Sequence, residues 1–155
     1  MSAWKDWLSR ENITRYWQWG VPLILAIVVL DQVTKAWALG VFEEQAMACL
    51  RDATLPCGHK ELSSVFSLTM KWNSGISFGL FGFLQPLGLA WLLFAAIGLI
   101  AVGFTLWLFR AERPLTAVAL AMVVGGAVGN LIDRGRFGAV VDFLNFGGPW
   151  FGSTA

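Results

Sequence analysis

Three long apolar runs separated by polar stretches organise the chain. The first extends from Trp17 to about Gly40, the second from about Gln85 to Phe109, and the third from Leu115 to Asp133. At about 1.5 Å per helical residue, each can cross a hydrocarbon core of about 30 Å. Three membrane-spanning helices, over 17–40, 85–109 and 115–133, are therefore predicted. Residues 1–16 are polar but carry Trp4, Trp7 and Leu8, the pattern of a lead-in lying on a membrane surface. The first run does not read as a cleaved signal peptide: Asp31 and Lys35 interrupt its second half, and no clean small-x-small site follows.

Between the first two runs, residues 41–84 form an outer loop. Val41 to Ser64 is polar, with Glu43, Glu44, Arg51, Asp52, Lys60 and Glu61. Val65 to Trp72 then alternates loosely, as a strand would. Asn73-Ser74-Gly75 is a turn signal, and the Gly- and Phe-rich Ile76 to Gly82 follows. These features predict a small extramembrane β platform on the bilayer surface. Residues 110–113 form a tight polar turn before Pro114, and residues 134–155 form a second outer segment.

Composition strengthens this picture. Of 155 residues, 57% are hydrophobic and 14% charged, which departs from soluble domains in the direction of an integral membrane protein with one domain. The net charge of +1 gives no general attraction to nucleic acid. Trp and Phe near the run ends suit a membrane interface better than base stacking. Cys49 and Cys57 share the polar loop with the single histidine, His59. Two Cys and one His fall short of a structural zinc set, so a loop disulfide is the better expectation, with free thiols as the alternative. Basic residues divide evenly between the two sides of the predicted topology. Orientation then rests on Lys5, Arg10 and Arg15 just before the first span, which put the N-terminus in the cytoplasm.

That orientation brings polar residues from distant segments to one depth. Asp31 lies about 21 Å up the first helix, in its outer half. Asp133 ends the third span at the outer face, Asp142 follows after a short loop, and Asn73 lies on the platform. Asp31 and Lys35 are spaced i, i+4 and share a helix face. Mutual neutralisation with Lys35 reaching outward and bracing of an active site both fit that spacing. Gly125 and Gly129 read first as a helix-packing motif, and Asn130 as a hydrogen-bonding residue one turn before Asp133. Two nearby carboxylates cannot both ionise easily, and such a pair can activate a water and protonate a leaving amine. By chemistry alone an aspartic peptidase competes with a channel, a transporter or a scaffold.

Four motifs extend the reading. Asp31-Gln-Val-Thr-Lys35 resembles the D-Q-x-[ST]-K of the bacterial lipoprotein signal peptidases (signal peptidase II). Asn73-Ser-Gly-Ile-Ser-Phe-Gly79 is similar to their N-x-G-x-[AS]-F, Gly125 to Arg134 (GGAVGNLIDR) to G-G-x-x-G-N-x-x-D-R, and Val140-Val-Asp-Phe143 to V-x-D-[FM]. Order and spacing agree over about residues 17–146. The resemblance implies an all-α membrane bundle of four helices acting as an aspartic endopeptidase of the bacterial inner membrane. Its implied substrates are prolipoproteins bearing a diacylglyceryl group, cleaved before the lipidated Cys near the outer surface. On that basis Asp142 matches a catalytic aspartate. Asp31, Lys35, Asn73, Asn130, Asp133 and Arg134 match residues that support the site or contact substrate. No cofactor and no metal are implied. Membrane lipid is the other expected partner, nucleic acid is not, and a monomer is expected.

The pattern departs at one point. The family carries its second catalytic Asp in an F-N-x-A-D motif leading into a fourth span. Here Asn145-Phe-Gly-Gly-Pro149 does not match, and no carboxylate follows Asp142. The expectation is a truncated copy with three spans. It would be either a working peptidase short of one carboxylate or a catalytically inactive homologue that binds lipoprotein precursors or packs with a membrane partner. Asp133 or Asp31 serving as the second carboxylate is a third option.

Overall fold

The computed structural model describes residues 16–63, 66–73 and 90–146. In chain order these form α1 (Trp17–Val41), α2 (Glu43–Arg51), β1 (His59–Ser63), β2 (Phe66–Asn73), α3 (Ala90–Leu108), α4 (Pro114–Phe137) and β3 (Val140–Phe146). Among the described residues, α1, α3 and α4 are long and apolar enough to cross a membrane. The expected lead-in up to residue 15, the Ile76–Gly82 segment, the start of the second run and residues 147–155 lie outside the described residues. The fold is the expected helical membrane bundle with a small three-stranded antiparallel sheet.

Helices α1 and α4 run parallel, because their contacts climb both in four-residue steps. A Cβ at Gly125 would sit 2.6 Å from Ile27 Cγ2, one at Gly129 would strike the Asp31 carboxylate, and Lys35 reaches Asp133. The glycines expected to pack do so, letting α4 approach within side-chain reach of α1. Helix α3 runs the opposite way: its last residue, Leu108, packs on Gly20 at the start of α1. There Ile24, Leu108, Ala117, Leu120 and Val124 form a buried apolar cluster. Leu25, Val29, Val33 and Trp37 recur every four residues and are exposed, the pattern of a lipid-facing stripe.

Pro114 opens α4 at a position that tolerates its missing N–H. The helix outruns the third predicted span by one turn and stops at Gly138, whose φ of 74° is the left-handed conformation that ends helices. The charges from Asp133 onward had suggested an earlier end. Asp133 therefore lies within the helix rather than at its tip. Its side chain is 1% exposed.

Three elements between or beyond the apolar helices escaped the hydropathy pattern: α2, β1 and β3. Helix α2 has Glu43 and Glu44 in its first turn and Arg51 in its last, each matched to the helix dipole. A Cys49–Cys57 disulfide ties its end to the chain leading into β1. The disulfide also removes both thiolates from any metal-ligand set. Ala46 of α2 and Phe42 just before it pack on Leu68, Met70 and Val141 of the sheet. The Trp72 indole N–H donates to Ala46 O at 2.8 Å. Strand β2 is central, pairing with β1 on one side and β3 on the other. Its register with β3 sets Lys71 opposite Asp142, Trp72 opposite Val141 and Asn73 opposite Val140. A bulge between Leu68 and Lys71 inserts an extra β2 residue.

Candidate active site

One lysine organises the C-terminal halves of α1 and α4. Lys35 Nζ lies 2.9 Å from Asp31 Oδ2 and 2.7 Å from Asp133 Oδ2, and it donates to Asn130 Oδ1 at 3.0 Å. Its side chain is 8% exposed. The expectation that Lys35 reaches outward is not met. Lys35 does not reach outward to water, because a second carboxylate and an amide oxygen on α4 complete its coordination inside the bundle.

Asp133 serves two elements at once. Oδ1 accepts from Gln32 Nε2 at 3.0 Å, while Oδ2 takes Lys35 and the Val141 backbone N–H at 3.2 Å. The last bond reaches from α4 across the Gly138 turn to β3. A buried carboxylate so placed fixes where the strand leaves the helix bundle. With both oxygens occupied and almost no exposure, Asp133 cannot meet a water or a substrate. Asp31, 24% exposed, spends its Oδ2 on Lys35 and Gln32.

Asp142 has the opposite setting. It is exposed, one residue beyond the Val141 that Asp133 holds. Successive strand side chains point to opposite faces. Val141 is 2% exposed and packs into the sheet core, so Asp142 projects away from that core. Asn73 stands at the end of β2, opposite Val140. Arg134 is half-buried beside the cluster, with Nη1 3.5 Å from Asn130 O.

The seven residues singled out in the sequence thus divide. Asp31, Lys35, Asn130 and Asp133 form one connected cluster, Arg134 flanks it on the same helix, and Asn73 and Asp142 lie on the adjoining strands. Sequence reasoning missed Gln32, which donates to Asp31, to Gly129 O at 3.2 Å and to Asp133. Its signal was position alone, an amide inside Asp31-Gln-Val-Thr-Lys35.

Comparisons with known proteins address the family and the fold. Residues 23–154 match the family described as Signal peptidase (SPase) II. The lipoprotein signal peptidase of Nitrobacter hamburgensis is 34% identical over 135 residues, covering 87% of this chain and 76% of that protein. That of Caulobacter vibrioides is 37% identical over 142 residues, covering 90% and 77% respectively. Among solved structures, a bacterial membrane enzyme determined in meso at 1.9 Å superposes with a TM-score of 0.61 at 22% identity, covering 90% of this chain and 83% of that one. A second, at 2.3 Å, gives 0.59 at the same identity, covering 83% and 70%. The structural likeness speaks to the fold, and the sequence matches carry the assignment: the chain belongs to the signal peptidase II family.

Proposed function

We propose that the chain is an aspartic-type endopeptidase that removes the signal peptide from diacylglyceryl-modified prolipoproteins, cutting before the lipidated Cys. The observation that carries this reading is the division of the aspartates by environment. Lys35 pairs with both Asp31 and Asp133, and their cluster grips Val141, leaving Asp142 exposed on the adjoining position. Asp142 would take a proton from a water whose oxygen attacks the scissile carbonyl carbon. A second carboxyl group would protonate the carbonyl oxygen; Asp142 would then pass the water's proton to the leaving amine as the C–N bond breaks, and the second group would recover its proton from a hydroxyl of the tetrahedral intermediate. Asn73, Asn130 and Arg134 would line the approach and contact the substrate. The second carboxyl comes from neither Asp31 nor Asp133 on this reading, since both are committed to Lys35.

The Cys49–Cys57 disulfide supports an orientation. It belongs to the same end of the bundle as the Lys35 cluster and Asp142, and disulfides persist in oxidising compartments. That end would face the outer side of the bacterial inner membrane, with the N-terminus in the cytoplasm. The protein would work as a monomer, with membrane lipid and the lipidated precursor as its partners.

A second reading is a non-catalytic homologue that binds lipidated precursors. It is favoured by the commitment of Asp31 and Asp133 to Lys35. A gel-shift cleavage assay with a diacylglyceryl-modified prolipoprotein in lipid separates the two. The chain would be assayed as it stands and with an F-N-x-A-D segment and a fourth span appended. Cleavage that disappears with Asp142→Asn is the expected result. Cleavage that survives Asp142→Asn would remove Asp142 from the chemistry. Precursor binding without turnover, even in the extended chain, would establish the second reading.

A further inference from the structure

Gln32 sits between the two carboxylates and contributes no charge of its own. Its amide nitrogen donates to Asp31 Oδ2 at 3.1 Å, Gly129 O at 3.2 Å and Asp133 Oδ1 at 3.0 Å. Two N–H hydrogens serve three acceptors, so at least one is shared. On the other side of the amide, Arg136 Nη1 approaches Oε1 at 3.5 Å. Acceptors on one side and a guanidinium on the other decide which way the amide faces. The bond to Gly129 O requires close approach of the helices, which the missing side chain at Gly129 allows.

The consequence lies in how Asp133 is turned. A carboxylate can rotate about its Cβ–Cγ bond, and three groups compete for its two oxygens: Gln32, Lys35 and the Val141 N–H. With Oδ1 held by Gln32, Oδ2 is left facing both Lys35 and the strand. Without that hold, either oxygen could turn to Lys35 and the grip on Val141 would become intermittent. We propose that Gln32 is a positioning residue: by fixing the rotation of Asp133 it holds β3, and with it Asp142, in register with the bundle. This inference rests on the peptidase reading for its effect on turnover, but not for its effect on the strand. The charge environment explains the residue type. The groups facing position 32 are Asp31 and Lys35 on its own helix and Asp133 and Arg136 on α4. A neutral donor there satisfies Asp133 without adding a third carboxylate beside one ammonium.

The test uses Gln32→Met, close in shape without the donor, and Gln32→Glu, equal in length with an acceptor for Arg136 but no N–H. Hydrogen exchange in lipid would be followed over 140–146, with α3 as an internal reference for folding. Cleavage kinetics would be measured on the version of the chain active in the assay above. Both variants are expected to speed exchange over 140–146 about tenfold and to lower kcat by about tenfold, with KM within about twofold of wild type. Unchanged exchange over 140–146 in both variants would overturn the proposal, as would a loss shared equally by α3. Should Gln32→Met fail to fold, Gln32→Glu decides alone. If no version of the chain cleaves while Asp142 is intact, the peptidase reading falls, and the exchange result still supports or overturns the hold on β3.

Discussion

Lys35→Met is the sharpest perturbation of the cluster, because it removes the charge and keeps most of the volume. The two carboxylate oxygens on Nζ both touch one atom, so they lie at most about 6 Å apart. At an effective dielectric of about 20, two unit negative charges at that distance repel by about 3 kcal/mol. Asp133, 1% exposed, cannot recruit water to replace the lost ammonium, and Asn130 Oδ1 loses its donor. The expected destabilisation is about 3–5 kcal/mol, the range for breaking a buried ion pair. Asp31→Asn in the wild-type background should cost about 1 kcal/mol or less, since Asp31 is the more exposed partner and Lys35 keeps Asp133. In the Lys35→Met background the same change removes one of two repelling charges, so it should stabilise by about 2 kcal/mol. The sign of Asp31→Asn should therefore invert between backgrounds. Equilibrium unfolding of the four proteins in mixed micelles measures this cycle. A Lys35→Met cost below about 1 kcal/mol, or an Asp31→Asn effect equal in both backgrounds, would refute the idea that one buried ammonium holds two carboxylates.

Two further outcomes can be checked with the same apparatus. Gly129→Ala should destabilise by about 1–2 kcal/mol, because its Cβ drives the Asp31 carboxylate off Lys35 and Gln32; Gly126→Ala, which meets open space, should be neutral or gain a few tenths of a kcal/mol, and equal effects at the two sites would count against the α1–α4 contact. Replacing Cys49 and Cys57 together with Ala opens a loop with a sequence separation of 8, and chain entropy predicts a loss of about 2.5 kcal/mol. Proteolysis should show that loss in α2 and the chain before β1, and a uniform loss across the helices would contradict a local role.

The membrane spans were legible because a bilayer demands about 20 apolar residues per helix, and no other constraint writes so long a signal. The elements α2, β1 and β3 were not legible for three separate reasons. Helix α2 has nine residues, too few to be helical alone; it is held by the disulfide, by Trp72 and by Phe42 and Ala46 on the sheet. Strand β1, His59–Ser63, is exposed along its whole length and so shows no alternation. Strand β3 reads as a polar turn because Asp142 and Asn145 break its apolar pattern, although Val141 and Phe143 face the core. Within the site, the i, i+4 spacing revealed that Asp31 and Lys35 share a face, but not which way they point. That depended on Asp133, 98 residues beyond Lys35 and one turn deeper in its helix than the charges around it implied.

Asp31, Asp133 and Asp142 are chemically identical, so any division of labour among them comes from their surroundings. Asp133 is held in place by an ammonium, an amide and a backbone N–H, and it serves as a strut between α4 and β3. Asp31 shares the same ammonium and sits where Gly129 leaves room for it. Both take hydrogen bonds or ion pairs from donors inside the bundle. Asp142 is attached to this rigid frame by a single residue, so its backbone inherits the frame's precision while its side chain stays exposed. A reactive carboxylate needs both properties, since a displacement of about 1 Å can cost a hundredfold in rate. The buried cluster would then be retained despite its desolvation cost because an apolar replacement could pack α1 on α4 but could not grip the Val141 N–H. A Lys35→Met, Asp31→Leu, Asp133→Leu triple variant makes that distinction measurable: it should recover much of the stability lost by Lys35→Met alone and still leave β3 unprotected from hydrogen exchange.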